Sequence, residues 1–272
     1  MEDGPTFRIL CVGGSDPRMG AGVEMDAAVC RALGFEPVTV VTVETEQSEH
    51  GLESVRARST SELTRELVRA LHQGVDAVKV GALGNAALTE TLAEVLLPWL
   101  GELPIVVDPV GQASRVAKPG VMLNTPEGLA LMQEKLFPLA DLVTPNRIEY
   151  GTGDAYEFCG AVVRKGGHDE GDIVSDRFWS LLEDPVEFRR PRLPGRTSVH
   201  GTGCAFATLA ACHLARCRDP RLASKEAGDV LHAWLSGPGL REGRLVPPPT
   251  PRRDWPLSMF RFPSPERSAN QD

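Results

Sequence analysis

Five short, apolar, β-branched runs separated by stretches of helical periodicity limit what this chain can become more than any other feature. The runs at residues 8–14, 37–45, 76–81, 104–109 and 141–146 are strand-like, and their apolar character suits parallel strands buried on both faces. Helical patterns cover residues 20–33, 60–72, 86–97 and 129–137, the first stopping at Gly34. Short links between the two patterns predict an α/β fold, a mostly parallel central sheet with helices on both faces. At 272 residues and 42% hydrophobic content, one large domain is expected rather than two small ones.

Further along, residues 161–165 read as another strand. Residues 173–182 and 186–190 read as two strands joined by Glu183-Asp184-Pro185, a β-hairpin. An alanine- and leucine-rich helix follows at 205–215, and a last helix at 222–235. Residues 245–272 hold seven of the chain's 22 prolines and few aliphatic side chains. The expected organisation is one domain over residues 1–244 and a proline-rich irregular tail over 245–272.

Charge is uneven: residues 1–185 carry 15 Lys and Arg against 29 Asp and Glu, and residues 186–272 carry 14 against 8. An acidic chain with two tyrosines and no basic, aromatic-interleaved stripe is not expected to bind nucleic acid. The six cysteines show neither Cys-x-x-Cys pairs nor disulfide-like spacing. With no signal peptide ahead of the first strand and no apolar run of membrane-spanning length, a cytoplasmic protein without membrane contact is expected. His50, His72, His213 and His232 lack metal-ligand spacing with Cys212 or Cys217 and receive no role.

In sheets of this kind ligands bind beyond the carboxyl ends of the strands. Polar residues collect there: Gly14-Ser15-Asp16, Gln47, Asp108, Asn146 and Lys165-Gly166-Gly167-His168. A second cluster is the turn Ser198-Val199-His200-Gly201-Thr202-Gly203-Cys204, which runs straight into a helix. Such a junction leaves backbone N–H groups unpaired at the positive end of a helix dipole, suited to phosphate. Cys204 falls at the first helical position, where a lowered thiol pKa is expected. By itself the segment reads equally as a glycine turn entering a core helix with a buried cysteine. The aligned strand ends favour the anion site.

The motifs Gly14-Ser15-Asp16-Pro17, Gly20-Ala21-Gly22, Asp26, Lys79-Val80-Gly81-Ala82-Leu83-Gly84, Val107-Asp108-Pro109-Val110, Thr144-Pro145-Asn146-Arg147-Ile148-Glu149, Lys165-Gly166-Gly167-His168 and His200-Gly201-Thr202-Gly203-Cys204 occur in one order. In that order they resemble the hydroxymethylpyrimidine/phosphomethylpyrimidine kinases of thiamine biosynthesis, within the ribokinase-like superfamily, over roughly residues 8–240. A group of pyridoxal kinases shares the last motif. The resemblance implies ATP and Mg²⁺ as cofactors and a small-molecule pyrimidine as substrate, and it allows a homodimer. It implies an anion hole of Gly201, Gly203 and Cys204, with Cys204 either the base or only a shaper of the hole. By the same resemblance Asp108 and Glu149, with Asn146 close by, hold Mg²⁺ directly or through water. Lys165, Gly167 and Thr202 lie at the nucleotide, and Asp26, Gln47 and Gly14 at the pyrimidine.

Four departures stand against that pattern. Only residues 150–161 remain for a crossover that normally holds a helix of several turns, so one sheet face is expected to be thinly covered. Ala82 and Gly111 stand where methionines are usual, which predicts a wider or differently shaped pocket. Arg18-Met19-Gly20 replaces Ser-Gly-Gly, and Glu44 and Glu46 flank Gln47. The lysine usual in the last helix has no clear counterpart, Lys225 lying too early. These keep open a pyridoxal or related vitamin kinase, and a non-catalytic pyrimidine-binding pseudokinase.

Overall fold

Along β1 (Arg8–Ser15), Ile9 and Cys11 pack into one helical layer while Leu10 and Val12 pack into the other. Burial on both sides explains why this run shows no polar alternation. The computed structural model describes residues 6–111, 119–151, 153–157, 159–195, 199–237, 240–241 and 243–247. Ser198 of the glycine turn and the proline-rich segment from residue 248 onward lie outside the described residues.

After β1 come α1 (Gly22–Ala32), β2 (Glu36–Ser48), β3 (Gly51–Ala57), α2 (Thr60–His72), β4 (Ala77–Val80), α3 (Ala86–Leu96), β5 (Ile105–Val107), α4 (Pro126–Leu131), β6 (Leu142–Val143) and α5 (Arg147–Tyr150). The chain continues through β7 (Ala161–Arg164), β8 (Ile173–Ser180), β9 (Val186–Pro191), α6 (Thr202–Cys217) and α7 (Pro220–Ser236). One nine-stranded sheet runs in the order β3-β2-β1-β4-β5-β6-β7-β8-β9. Strands β2, β1, β4, β5, β6 and β7 are parallel, and β3, β8 and β9 pair antiparallel at the two sides. Helices α1, α6 and α7 cover one face, and α2 and α3 the other. The chain steps from β1 to β2 on one side and later to β4 on the other, so the sheet order switches at β1, where such folds open a crevice.

Three local features differ from the sequence reading. First, β2 runs past Thr45 to Ser48 and turns into β3, a strand whose adjacent polar residues Glu53 and Ser54 interrupt the alternating pattern. Glu44 pairs with Arg56 and Glu46 accepts from the Ser54 hydroxyl (2.8 Å), all on the exposed face of this edge hairpin. The two carboxylates are therefore directed to solvent. Second, the face beside the shortened crossover is not bare. Tyr156 is buried and stacks on Phe137 and Tyr150 (centroids 5.1 and 5.2 Å), and Tyr150 meets Trp179 edge-on at 5.3 Å. Aromatic area replaces the helix. Third, β10 (Leu240–Arg241) pairs with β11 (Arg244–Leu245), and Leu245 is 1% exposed within the core beneath α6 and α7. The packed fold thus extends past residue 244, where the tail was expected to begin.

Candidate active site

The first turn of α6 meets the ends of β1, β5 and β7. Gly201 caps the helix in the left-handed region (φ +87°), and a Cβ there would stand 2.0 Å from the Gly20 carbonyl oxygen. Only glycine fits. A glycine cap also brings no side-chain acceptor for the first-turn N–H groups. Thr202 begins the helix, its hydroxyl donating to the Val199 carbonyl at 3.3 Å. Gly203 lies over a buried ion pair: a Cβ on it would be 3.6 Å from Lys165 Nζ and 4.0 Å from Asp108 Oδ2.

Lys165 Nζ donates to Asp108 Oδ1 at 2.7 Å, and the Thr144 hydroxyl donates to the same oxygen at 3.1 Å. Asp108 Oδ2 is buried and accepts from no group among the described residues. A carboxylate oxygen left so is costly unless a ligand supplies its partner. Burial opposes the Lys165 charge, but Asp108 and then Glu149 outweigh it and hold its pKa above the usual value. Burial pushes Glu149 up to about 7, with Asp108 adding to the rise and Lys165 opposing it.

Asn146 and Glu149 form a reciprocal cap on α5. Asn146 Oδ1 accepts from the Ile148 and Glu149 N–H groups (2.8 and 3.0 Å), and Glu149 Oε2 accepts from the Asn146 N–H at 2.7 Å. Both lone pairs of the Asn146 oxygen are thereby used. In this arrangement Asn146 positions Glu149, the carboxylate beside Asp108. Among the described residues no group of three or more His, Cys, Asp or Glu forms a metal cluster. The unpaired Asp108 Oδ2 together with the Glu149 carboxylate still suits Mg²⁺, which takes one or two carboxylates and completes its shell with water and phosphate oxygens.

Cys204 also differs from expectation. Burial pushes its thiol up to about 11, with Lys79 opposing the rise and Asp26 and Asp108 adding to it. Desolvation thus outweighs the helix end, and the group is a thiol at neutral pH in the unliganded protein. Asp26 is neither on the surface nor waiting for a ligand. It is 0% exposed on α1, with Oδ2 accepting from Lys79 Nζ at 2.8 Å and Oδ1 from the Thr208 hydroxyl at 2.7 Å. The pyrimidine contact expected of it is not needed to satisfy it, because both oxygens have internal donors.

Gly14 ends β1 beside Val43 and Ala82, so it forms wall where a side chain would collide with Val43 at 2.9 Å. Gln47 is half-buried near the end of β2, its Nε2 3.4 Å from the Thr45 hydroxyl, which donates to the Ser15 carbonyl. At Gly111 the space left by the missing side chain is bordered by Leu129, whose Cδ1 lies 3.3 Å from where a Cβ would stand.

Gly167 is exposed on the loop after Lys165. That loop is held by groups the sequence reading missed. Asp176 accepts from the Gly166 N–H at 2.9 Å and from Arg190 at 2.7 Å, while Arg192 donates to the Gly167, Asp169 and Gly171 carbonyls. Arg190 also donates to Asp229 and to the Lys225 carbonyl, and its guanidinium lies against Gly228 of α7. Lys225 itself pairs with Asp229 at 2.7 Å, half exposed. On the opposite rim Asp16 accepts from the Arg18 and Gly20 N–H groups, and His200 Nε2 stands 3.5 Å away. Burial works against the Asp16 charge, but these groups outweigh it and hold its pKa low.

Comparison with known proteins extends these observations. A family model described as phosphomethylpyrimidine kinase matches residues 16–152 and 154–246. The hydroxymethylpyrimidine/phosphomethylpyrimidine kinase of Streptomyces coelicolor is 36% identical over 82% of this chain and 86% of that protein. Among solved structures, the pyridoxal kinase from Staphylococcus aureus in complex with pyridoxal superposes with a TM-score of 0.75 at 22% identity, over 90% of this chain and 94% of that one. The phosphomethylpyrimidine kinase from Clostridium difficile gives a TM-score of 0.69 at 22% identity, over 84% and 99%. The structural likenesses concern the fold. Among the described residues no helix is long and apolar enough to cross a membrane.

Proposed function

The chain belongs to the phosphomethylpyrimidine kinase family, and on that premise we propose that it phosphorylates a hydroxymethylpyrimidine or its monophosphate with ATP, as in thiamine biosynthesis. The observation that carries this reading is Gly203 lying over the Lys165–Asp108 pair with Asp108 Oδ2 buried and unpaired. The first-turn N–H groups of α6 and the Lys165 ammonium together surround one small volume with donors. That is what a transferring phosphoryl group needs, because its charge is spread over three oxygens.

Within this reading, Gly201 and Gly203 bring backbone N–H groups close to the phosphate without a side chain in the way. Lys165 neutralises phosphate charge from the sheet side, and the loop with Gly167, braced by Asp176 and Arg192, borders the nucleotide. Asp108 and Glu149 would hold Mg²⁺, which would supply positive charge to the nucleotide's phosphate oxygens. Gly14 and Gln47 border the pyrimidine. Cys204 contributes its N–H and its bulk, because its thiol keeps its proton at neutral pH. The six free cysteines suit a reducing compartment such as the cytoplasm.

The test is a coupled ADP-release assay with the hydroxymethylpyrimidine alcohol, its monophosphate and pyridoxal as acceptors. Turnover with one or both pyrimidines, ahead of pyridoxal, is expected. A folded protein with no turnover on any acceptor would sink the kinase reading, and a clear preference for pyridoxal would move it to a pyridoxal kinase. The sequence relative favours the pyrimidine, while the pyridoxal kinase likeness is one of fold.

A further inference from the structure

Two opposite charges are buried where the chain could have placed aliphatic side chains. Lys79 sits in a strand whose other members are Ala77, Val78 and Val80, and it is 1% exposed. Asp26 sits in α1 among Met25, Ala27 and Val29, also buried. Their ion pair spans 2.8 Å and joins β4 to α1. A hydrophobic pair of similar volume would hold these elements together as well, so the ion pair calls for an account beyond stability.

The third member supplies one. The Thr208 hydroxyl lies 2.7 Å from Asp26 Oδ1 and 2.9 Å from the carbonyl oxygen of Cys204, one turn earlier on α6. Its single proton serves either acceptor, so the hydroxyl ties the first turn of α6 to the buried carboxylate. Rotating α6 by one residue would break this tie. At the same end, Gly201 is pressed against Gly20, and Gly203 lies over Lys165 and Asp108. On β4, Lys79 Nζ lies 2.9 Å from where a Cβ on Gly81 would stand, so glycine at 81 leaves the ammonium its room.

We propose that Lys79, Asp26 and Thr208 form a buried lock that sets the rotation and height of the α6 N-terminus over the Lys165–Asp108 pair, making all three positioning residues for phosphoryl transfer. The inference rests on the phosphoryl-transfer reading. Asp26 acts through Thr208 and Lys79 acts through Asp26, and none of the three needs to touch substrate. Donors aimed at a transferring phosphate lose their effect with small displacements, so the loss should appear in turnover before it appears in binding.

The test compares Thr208→Val, which removes the hydroxyl and keeps the shape, with Thr208→Ser, which keeps the hydroxyl. Thr208→Val should lower kcat at least about tenfold while KM for ATP and for the pyrimidine stay within about twofold, and Thr208→Ser should restore most of the loss. Amide hydrogen exchange supplies a readout that does not depend on activity. The N–H of Ala205, which donates to the Gly201 carbonyl at 3.0 Å, should exchange at least about tenfold faster in Thr208→Val than in wild type or Thr208→Ser. Should Thr208→Val fail to fold, the paired Asp26→Asn/Lys79→Gln variant carries the same two readouts. Wild-type turnover and wild-type exchange in these variants would overturn the lock, as would a loss that Thr208→Ser does not repair. No turnover in the wild-type protein would count against the kinase reading, and the exchange experiment would still decide the lock.

Discussion

Asp26 and Lys79 are 53 positions apart in sequence and 2.8 Å apart in space, and neither reaches water. Removing one partner leaves the other charge buried without compensation. Lys79→Met is therefore expected to cost about 3–5 kcal/mol in urea unfolding, and adding Asp26→Leu should recover most of it. A single variant within about 0.5 kcal/mol of wild type would show that the pair is not desolvated as described. Each charge was visible in the sequence as an oddity, one acid in an apolar helix and one lysine in an apolar strand. Their pairing was not, because a single chain carries no distance information at that separation. Asn146 and Glu149 show the converse. Their spacing of three is a local capping signal, legible in the sequence, and the structure shows the reciprocal cap. Cys204 was placed correctly at a helix start, but its desolvation comes from the core cluster it packs against, which local sequence does not show.

Helix α6 carries a second buried titratable group on its core side. Burial, with the neighbouring Arg216 charge adding to it, lowers the pKa of His213 to about 4. The folded protein therefore keeps His213 neutral across a range in which the unfolded chain protonates it near 6.5. The unfolded state binds more protons between about pH 4 and 6.5, so stability rises with pH through that window and falls on acidification through it. The span corresponds to roughly 3 kcal/mol at its limit. His213→Gln should flatten that part of the stability–pH curve measured by urea unfolding; an unchanged slope would contradict the assignment. At this scale the parallel strands were legible because burial on both faces leaves an uninterrupted apolar run, as in Ile105–Val107. The strand Gly51–Ala57 was not, because it lies at the sheet edge and the adjacent polar residues Glu53 and Ser54, where the pairing with β2 shifts register, break the alternation that marks a half-buried strand. The crossover after Glu149 read as holding a helix shortened to a turn or two, or none, and it holds a single 3-10 turn at Asp154–Tyr156. What replaces the helix depends on Phe137 and Trp179, which lie outside that segment.

Taken whole, the molecule brings its chemistry to one end of the sheet. The order switches at β1, and the ends of β1, β5 and β7 face the start of α6. Much of this was readable in outline, since alternating strands and helices require a parallel sheet and parallel strands put their carboxyl ends together. Which polar side chains face each other there is set by register and packing, and these emerged only in three dimensions. The central claim is that a phosphate sits between the α6 N-terminus and the Lys165–Asp108 pair, with Mg²⁺ at Asp108. Steady-state kinetics of Asp108→Asn beside wild type, with Mg²⁺ titrated at saturating ATP and pyrimidine, tests it most directly. The predicted result is a kcat at least about a hundredfold lower, with a raised Mg²⁺ requirement and a folded protein. A kcat and Mg²⁺ dependence within about twofold of wild type would contradict the account.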